Sequence, residues 1–530
     1  MSRRSVVSSG RNTSNWLKSN PATRYPRLAE DVHGDVCVVG GGITGLTTAL
    51  LLAEQGLRVT LVEDGAIGSG ETGRTTAHLS SALDDRFSEL ERLHGRRGAR
   101  QAGESHRAAI DTVERLVTQY EIDCEFTRIP GYLFAGRGQP HELLHQEAEA
   151  AHRAGFTEIS LVDHAPIRTF HTGPCIRWPN QAQFHPLKYL HGIASAFVRR
   201  GGQIYEDTHA AEMQGGDLAR VLTREGHRIR VGHVVVATNA PVNNRVIIPL
   251  KQAAYRTYVV ALRIPRDDVE TALYWDTEDP YHYVRLATPK ARNGRSRHDL
   301  LLVGGEDHKT GQTQDYPARF TRLEAWARAR FTNAGPVEAR WSGQVMEPSD
   351  GLAYIGRNPG DDENVFIATG DSGHGMTHGT LAGMILSDLI VGRANPWSGL
   401  YDPARLSPRA ATELARENLN VLPHYTEWLR PADAPDADAI RRGEGAVVRE
   451  GMMRLACYRD DDGVLHKRSA QCPHLGCVVH WNTSEKTWDC PCHGSRFDAY
   501  GTVLNGPANA NLGQARPRPA RRREPPRAQR

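Results

Sequence analysis

The sequence contains no apolar run approaching the roughly 18 residues of a membrane-spanning helix, so no helical membrane span is expected. It also lacks an apolar stretch behind Arg3-Arg4. Ser5 to Asn20 is polar, so the paired arginines do not read as a twin-arginine export signal, and the expected compartment is the cytoplasm. Cysteine is scarce, with eight in 530 residues, and unevenly placed. Cys37, Cys124, Cys175 and Cys457 stand alone and read as small buried apolar residues. The other four fall between Cys472 and Cys492, and such clustering without an export signal points to metal chemistry, not to a disulfide framework. Nor does one sign of charge dominate. The formal net charge of +3 is produced by the tail, where seven arginines from Arg516 onward face only Glu524. That tail contributes about +6 and leaves the remainder near −3. Rich in Pro and Ala, it reads as a disordered, solvated terminus, and no nucleic-acid partner is expected.

What is present is ordinary globular composition, 39% hydrophobic and 24% charged, over a length suited to about two to four domains. Asp35 to Val39 reads as a buried parallel strand and runs into Gly40-Gly41-Gly42-Ile43-Thr44-Gly45, a G-x-G-x-x-G turn. Leu46 to Gln55 follows as a helix capped by Gly56, and Leu57 to Val62 as a second strand ending at Glu63. In such a unit Gly40 permits the tight turn, Gly42 lets the backbone approach a pyrophosphate, and Gly45 allows close helix–strand packing. The helix start at Ile43 and Thr44 offers free N–H donors to the phosphates, and Glu63 accepts from a ribose diol.

The fingerprint leaves FAD and NAD open. Two further stretches bear on the choice. One is Gly68 to Thr76, a second glycine- and hydroxyl-rich loop. The other is a strand, Asn364 to Gly370, entering Asp371-Ser372-Gly373-His374-Gly375-Met376-Thr377 ahead of a helical pattern from Leu381 to Ile390. That helix start suits the negative charge a reduced flavin develops.

On these residues, and on Val234 to Ala240 as an inner strand, the chain resembles the glycine oxidase and D-amino-acid oxidase family of FAD enzymes over roughly residues 33–395. The resemblance implies an α/β, Rossmann-like FAD domain interleaved with an α+β substrate domain on an antiparallel sheet. It implies FAD contacts at Gly40, Gly42, Ile43, Thr44, Gly45, Glu63, Gly73, Arg74, Thr75, Thr76, Thr238, Gly370, Gly373, Gly375, Met376 and Thr377. It also implies amine chemistry, in which hydride leaves the carbon alpha to nitrogen. No cysteine matches the covalent attachment of sarcosine oxidases, so FAD is expected to be noncovalent.

The substrate domain is expected to include His185 to Tyr189, Tyr281 to Arg285 and Gly304 to His308. Strand alternation puts Tyr281, Tyr283 and Arg285 on one face. Tyr283 and Arg285 are therefore candidate catalytic residues, Arg285 as a carboxylate clamp or a surface ion-pair partner. His374 is a third candidate, polarising substrate or merely neighbouring the helix cap.

Near the other end stand Cys472-Pro473-His474-Leu475-Gly476-Cys477 and Cys490-Pro491-Cys492-His493-Gly494-Ser495. Paired C-x-H and C-x-x-H fit a Rieske centre, with two thiolates on one iron and two imidazoles on the other. A structural zinc site uses the same residue types but takes four ligands, and six Cys and His are present. The segment 440–512 resembles the Rieske family. That resemblance implies Cys472 and Cys490 on one iron, His474 and His493 on the other, a Cys477–Cys492 disulfide, and Gly506-Pro507-Ala508 as a proline loop over the cluster. Short strands bounded by turns, such as Asp461-Asp462-Gly463, fit an all-β domain. Ser495 matches the family's hydrogen-bond donor. Phe497 stands where high-potential members have tyrosine, so a lower potential is expected, although plain core packing also explains it.

The expected layout is thus an N-terminal segment (1–32), the flavin oxidoreductase (33–395), a proline-bearing, semi-rigid linker (396–439) with a short helix near Thr412 to Asn418, the Rieske domain (440–512) and the basic tail (513–530). The expected function is oxidation of an amine or amino acid at FAD, with electrons leaving singly through the [2Fe–2S] cluster to an acceptor protein or quinone. The alternatives are an electron carrier without its own organic substrate and a Rieske oxygenase. The latter would need a two-His, one-carboxylate iron site, and the sequence offers no convincing one.

Overall fold

The computed structural model describes residues 10–19, 24–243, 246–289 and 296–515. Arg3-Arg4 and the arginine-rich tail lie outside the described residues. No described helix is long and apolar enough to cross a membrane.

Val36–Val39 is buried at every position, as a strand covered on both faces must be. It sits at the centre of a six-stranded sheet ordered Tyr354–Arg357, Val365–Thr369, His233–Val236, Val36–Val39, Val59–Val62, Gln203–Tyr205. All pairings are parallel except the outermost, Tyr354–Arg357 on Val365–Thr369. Helix Ile43–Glu54 is apolar nearly all round because it is covered on several sides. One cover is the helix Gly375–Ile390, which starts earlier than the sequence pattern suggests. Gly379 and Gly383 make the crossing close: a Cβ on either would press within 2.8 Å of Ile43 and Thr44 or of Thr47.

The substrate domain is built on a nine-stranded sheet, with Gln252–Pro265 hydrogen-bonded antiparallel to both His298–Lys309 and Val337–Pro348. One pair, Thr127–Phe134 with Leu273–Asp276, is parallel in an otherwise antiparallel array. The C-terminal domain is all-β, with a three-stranded sheet (Glu444–Glu450, Met453–Arg459, Leu465–Ser469) and a four-stranded one running from His480–Asn482 to Val503–Asn505.

The connecting segment is no free tether. Its helix spans Ala411–Tyr425, twice the length read from sequence, with Pro423 in the last turn. Asn418 donates to the Leu250 carbonyl (2.9 Å), Glu417 pairs with Lys309 (2.6 Å), and Trp428 donates to the Gly476 carbonyl (3.1 Å). The segment is therefore fastened to both domains, because its polar side chains meet backbone groups of each.

The domains also meet directly. Glu485, 1% exposed in its side chain, lies 3.4 Å from Arg74 and 3.5 Å from Arg256, both fully buried. It also accepts from the Ser342 hydroxyl and from the Asn12 amide (3.0 Å). Burial pushes Glu485 up, but Arg74, Arg256 and Arg496 outweigh it and hold its carboxyl below the usual range.

Candidate active site and cluster site

The glycine turn follows from sterics. Gly40 has φ +113°, and a Cβ there would collide with the Ala237 carbonyl; one on Gly45 would collide with the Gly40 carbonyl. At Gly42 the added Cβ would meet only the Thr72 hydroxyl, at 3.1 Å, on the cavity side. The helix behind it has no side-chain cap, so its first amides remain for a ligand, apart from Ile43, which donates to Thr72 (3.2 Å). Glu63 accepts from Gly41 (2.7 Å) and Gly65 (3.1 Å). Burial and the neighbouring Asp64 push its carboxyl up to about 8.

These residues open on one cavity of ≈ 270 Å³ that runs on to the large sheet. Of the residues expected at FAD, Gly40, Gly42, Ile43, Thr44, Glu63, Arg74, Thr75, Thr76, Thr238, Gly373, Gly375 and Met376 line it. Gly45, Gly73, Gly370 and Thr377 do not. Gly73 packs on the Gly68 carbonyl, Gly370 faces Pro348 and Gln252, and the Thr377 hydroxyl is engaged by His106 (2.9 Å). Arg74 reaches the wall, but its guanidinium turns away to Glu485, Ser342 and Gly10.

Of the catalytic candidates, His374 and Tyr283 line the cavity and Arg285 does not. The Arg285 side chain is buried, donating to the carbonyls of Thr76, Ala77, Phe184 and Leu286 and lying over the Trp16 ring. It is neither a carboxylate clamp nor a surface ion-pair partner; the alternation read from sequence placed it on the right face but did not show the loop and helix covering it. His185 is likewise used structurally, capping the helix Pro186–Arg199.

The ring of His374 faces Asp84: its Nε2 lies 2.9 Å from the Asp84 amide and 3.2 Å from Oδ1. Burial pulls His374 down, yet Asp84, Asp85 and Asp371 overcome this and raise it. Tyr281 donates to the other Asp84 oxygen (2.7 Å), and the Tyr283 hydroxyl lies 2.7 Å from that of Thr257. His78 and Trp275 pack edge-on at 6.4 Å. Asp84, His78, Thr257, Trp275 and Asp307 carried no distinctive spacing; only tertiary structure gathers them at the cavity.

In the cluster domain the two loops fold as facing turns, Cys472 N–H donating to Cys477 O (2.9 Å) and Cys490 N–H to Ser495 O (2.8 Å). Cys472 and Cys490 are buried and outside any disulfide, and the Cys490 and Ser495 side chains lie within hydrogen-bonding reach of Cys472. His474 and His493 face one another at 4.9 Å between ring centroids. His493 Nδ1 is buried without a hydrogen-bond partner among the described residues, as a nitrogen reserved for metal is. Cys477 and Cys492 form a disulfide with Cα atoms 6.5 Å apart. Two thiols, two imidazoles and a hydroxyl donor fit a [2Fe–2S] centre. Phe497 is completely buried opposite Trp488.

The two sites adjoin. Val503 to Gly506, Ala508 and Asn509 of the Rieske domain line the same cavity as the glycine turn. Asn505 donates to Glu71 (3.2 Å), and Asn509 to the carbonyls of Ala210 and Ala211. Gln344, also on the cavity wall, donates to the carbonyl of Gly494, the residue after His493 (3.0 Å).

Comparison with known proteins agrees with this division. The family model for FAD dependent oxidoreductases matches residues 35–389, and that for the Rieske [2Fe-2S] domain matches 432–516. A protein named as a Rieske 2Fe-2S iron-sulfur protein, YhfW of Bacillus subtilis (strain 168), is 33% identical over 94% of this chain and 96% of its own. The gamma-glutamylputrescine oxidoreductase of Escherichia coli (strain K12) is 27% identical over 71% of this chain and 88% of its own. Among solved structures, glycine oxidase from Geobacillus kaustophilus superposes with a TM-score of 0.57 at 20% identity, over 71% of this chain and 99% of that one, a likeness of fold. The chain belongs to the FAD dependent oxidoreductase family and carries its own Rieske [2Fe–2S] domain.

Proposed function

We propose that the protein is a dehydrogenase that oxidises an amine or amino acid at FAD and passes the electrons singly through its Rieske cluster to an external acceptor, a protein or a quinone. The observation that carries this reading is the shared cavity: Rieske residues 503–509 help to wall the space that begins at the flavin fingerprint. An electron carrier and a two-electron site brought so close suit each other, and fusion keeps them at high effective concentration. Bound in place, FAD supplies an acceptor for the hydride alpha to nitrogen, and the cluster supplies a one-electron carrier.

The chain's residues take the following parts. Gly40 to Thr44 present amides and a helix N-terminus to the pyrophosphate, and Glu63 takes the ribose. Gly375 and Met376 begin the helix that faces developing negative charge. Cys472 and Cys490 hold one iron, His474 and His493 the other. Asp84 positions the His374 ring, its amide and carboxylate both facing Nε2, so the imidazole stays in place whether or not that nitrogen carries a proton. Gln344 ties the cluster loop to the cavity wall.

An anaerobic screen of amines and amino acids, followed by visible spectrum and freeze-quench EPR, tests the reading. The expected result is flavin bleaching followed by the signal of a reduced cluster. Bleaching with no cluster signal refutes the electron route, and bleaching only with a reduced carrier refutes the dehydrogenase.

A further inference from the structure

We infer that the substrate is an amine bearing a second, non-reacting cationic group and no carboxylate, its cation held by Asp307 within walls formed by Trp275, Tyr281 and Tyr283. This rests on the amine-dehydrogenase reading above and narrows it.

Three observations carry it. First, the end of the cavity walled by the large sheet is acidic and aromatic. Asp84 and Asp307 line it together with Trp275, Tyr281 and Tyr283, the two tyrosine rings 5.5 Å apart. Carboxylates beside aromatic faces are what an ammonium group seeks, the ring quadrupole attracting the cation once water is excluded.

Second, Asp307 has no ion-pair partner among the described residues. Its Oδ1 is buried with no hydrogen-bond partner among the described residues. Burial pushes this carboxyl up to about 7, Asp84 adds to the shift, and the Thr257 contact with His282 and Arg319 only partly opposes it. Arg319 is occupied by Glu306, Asp315 and backbone carbonyls. A carboxylate oxygen kept from water without a partner is costly and is relieved by a cation.

Third, among the described residues no arginine or lysine on the cavity wall is free to bind a carboxylate. Arg74 is the one arginine or lysine among the described lining residues, and its guanidinium is fully buried against Glu485. Arg285 spends its donors on carbonyls. An α-carboxylate would meet Asp84 and Asp307 without a bidentate partner.

The test uses the anaerobic holoprotein with diaminobutane, butylamine, γ-aminobutanoate and glycine. Butylamine removes the second cation at equal carbon length, and γ-aminobutanoate replaces it with a carboxylate. Diaminobutane is expected to reduce the flavin about tenfold more efficiently than butylamine, the ratio that about 1.4 kcal/mol gives, while the two carboxylates fail. Asp307→Asn is expected to abolish that preference, bringing the efficiency with diaminobutane down to the one the same variant shows with butylamine. Calorimetry gives a readout apart from turnover: tetramethylammonium binds the wild-type holoprotein but not Asp307→Asn, and acetate binds neither. Reduction by glycine or γ-aminobutanoate as efficient as by diaminobutane, or absence of tetramethylammonium binding, overturns the inference and leaves the wider reading standing. Reduction by none of the four amines overturns both.

Discussion

Replacing Glu485 by Gln should undock the Rieske domain without unfolding either half. The side chain keeps its shape and its remaining carbonyl oxygen can still accept from Ser342 or from Asn12, which donate to different carboxylate oxygens, so the change removes the charge and one acceptor. At 3.4 and 3.5 Å from two guanidinium groups, each attraction is about 5 kcal/mol at an effective dielectric near 20. Desolvation of three buried ions and repulsion between Arg74 and Arg256 return much of that. What remains is about 3–5 kcal/mol, the usual cost of removing one partner from a buried pair. If it falls on docking, the docked-to-undocked ratio drops by roughly two to three and a half powers of ten. Limited proteolysis within the connecting segment, together with the rate of cluster reduction after the flavin is reduced, reads this out. The variant should be cut faster at the connector and should pass electrons more slowly while retaining both cofactors. Proteolysis and electron transfer both at wild-type rates would refute the reasoning. The pH dependence has a definite sign. Glu485 is held below its unfolded value, so its contribution is complete above the ordinary carboxylate range and is lost as pH falls through the lower folded value. Acid, not alkali, should therefore loosen the wild-type interface, and Glu485→Gln should remove that sensitivity.

Other outcomes follow from single contacts. Gly45→Ala places a methyl group against the Gly40 carbonyl, so the purified variant should lose its flavin absorbance while keeping the EPR signal of the cluster. Arg285→Leu strands the carbonyls of Thr76, Ala77 and Phe184 at a cost of several times the ~1 kcal/mol of one hydrogen bond. Thermal unfolding should register that loss. Should stability hold and only the KM for a carboxylate-bearing substrate rise, Arg285 is a clamp after all. Phe497→Tyr adds a donor near the cluster ligands; if it bonds a sulfur, a gain of about 1 kcal/mol corresponds to roughly 40 mV for a one-electron couple. The potential should rise in an EPR-monitored redox titration, and an unchanged potential means that Phe497 serves packing alone.

Much of this architecture is local and was therefore legible from residue order. The glycine turn with Glu63, and the cluster loops with their six Cys and His, are motifs of short spacing, and the structure brings the residues of each together, Cys477 and Cys492 as the resemblance to the Rieske family implied. The isolated cysteines are buried, as expected. Illegible features were those that depend on what covers a residue. Arg285 shares a strand with Tyr283, but only the fold reveals the carbonyls of residues 76, 77 and 184 above it. Asp307 lies in a stretch assigned to the substrate domain yet carries no motif, and its isolation arises from desolvation. Glu485 sits in the unremarkable turn Thr483-Ser484-Glu485-Lys486, and its two arginine partners are more than 200 residues away. The attachment of the semi-rigid linker was illegible for a related reason: proline content describes chain stiffness but not adhesion, and Glu417, Asn418 and Trp428 fasten it on both sides.

The contribution of residues 503–509 to the cavity wall has a temporal meaning as well. Every other wall residue precedes them in the chain, the last being Ala382. During synthesis from the N-terminus, the fingerprint, its neighbouring strands and the helix Gly375–Ile390 emerge first, leaving the space incomplete until the final sheet arrives. A flavin lodged in that space would be walled in last by the iron–sulfur domain, which Glu485, Asn505 and Asn509 fasten in place, so a chain shortened before that domain should retain flavin less well.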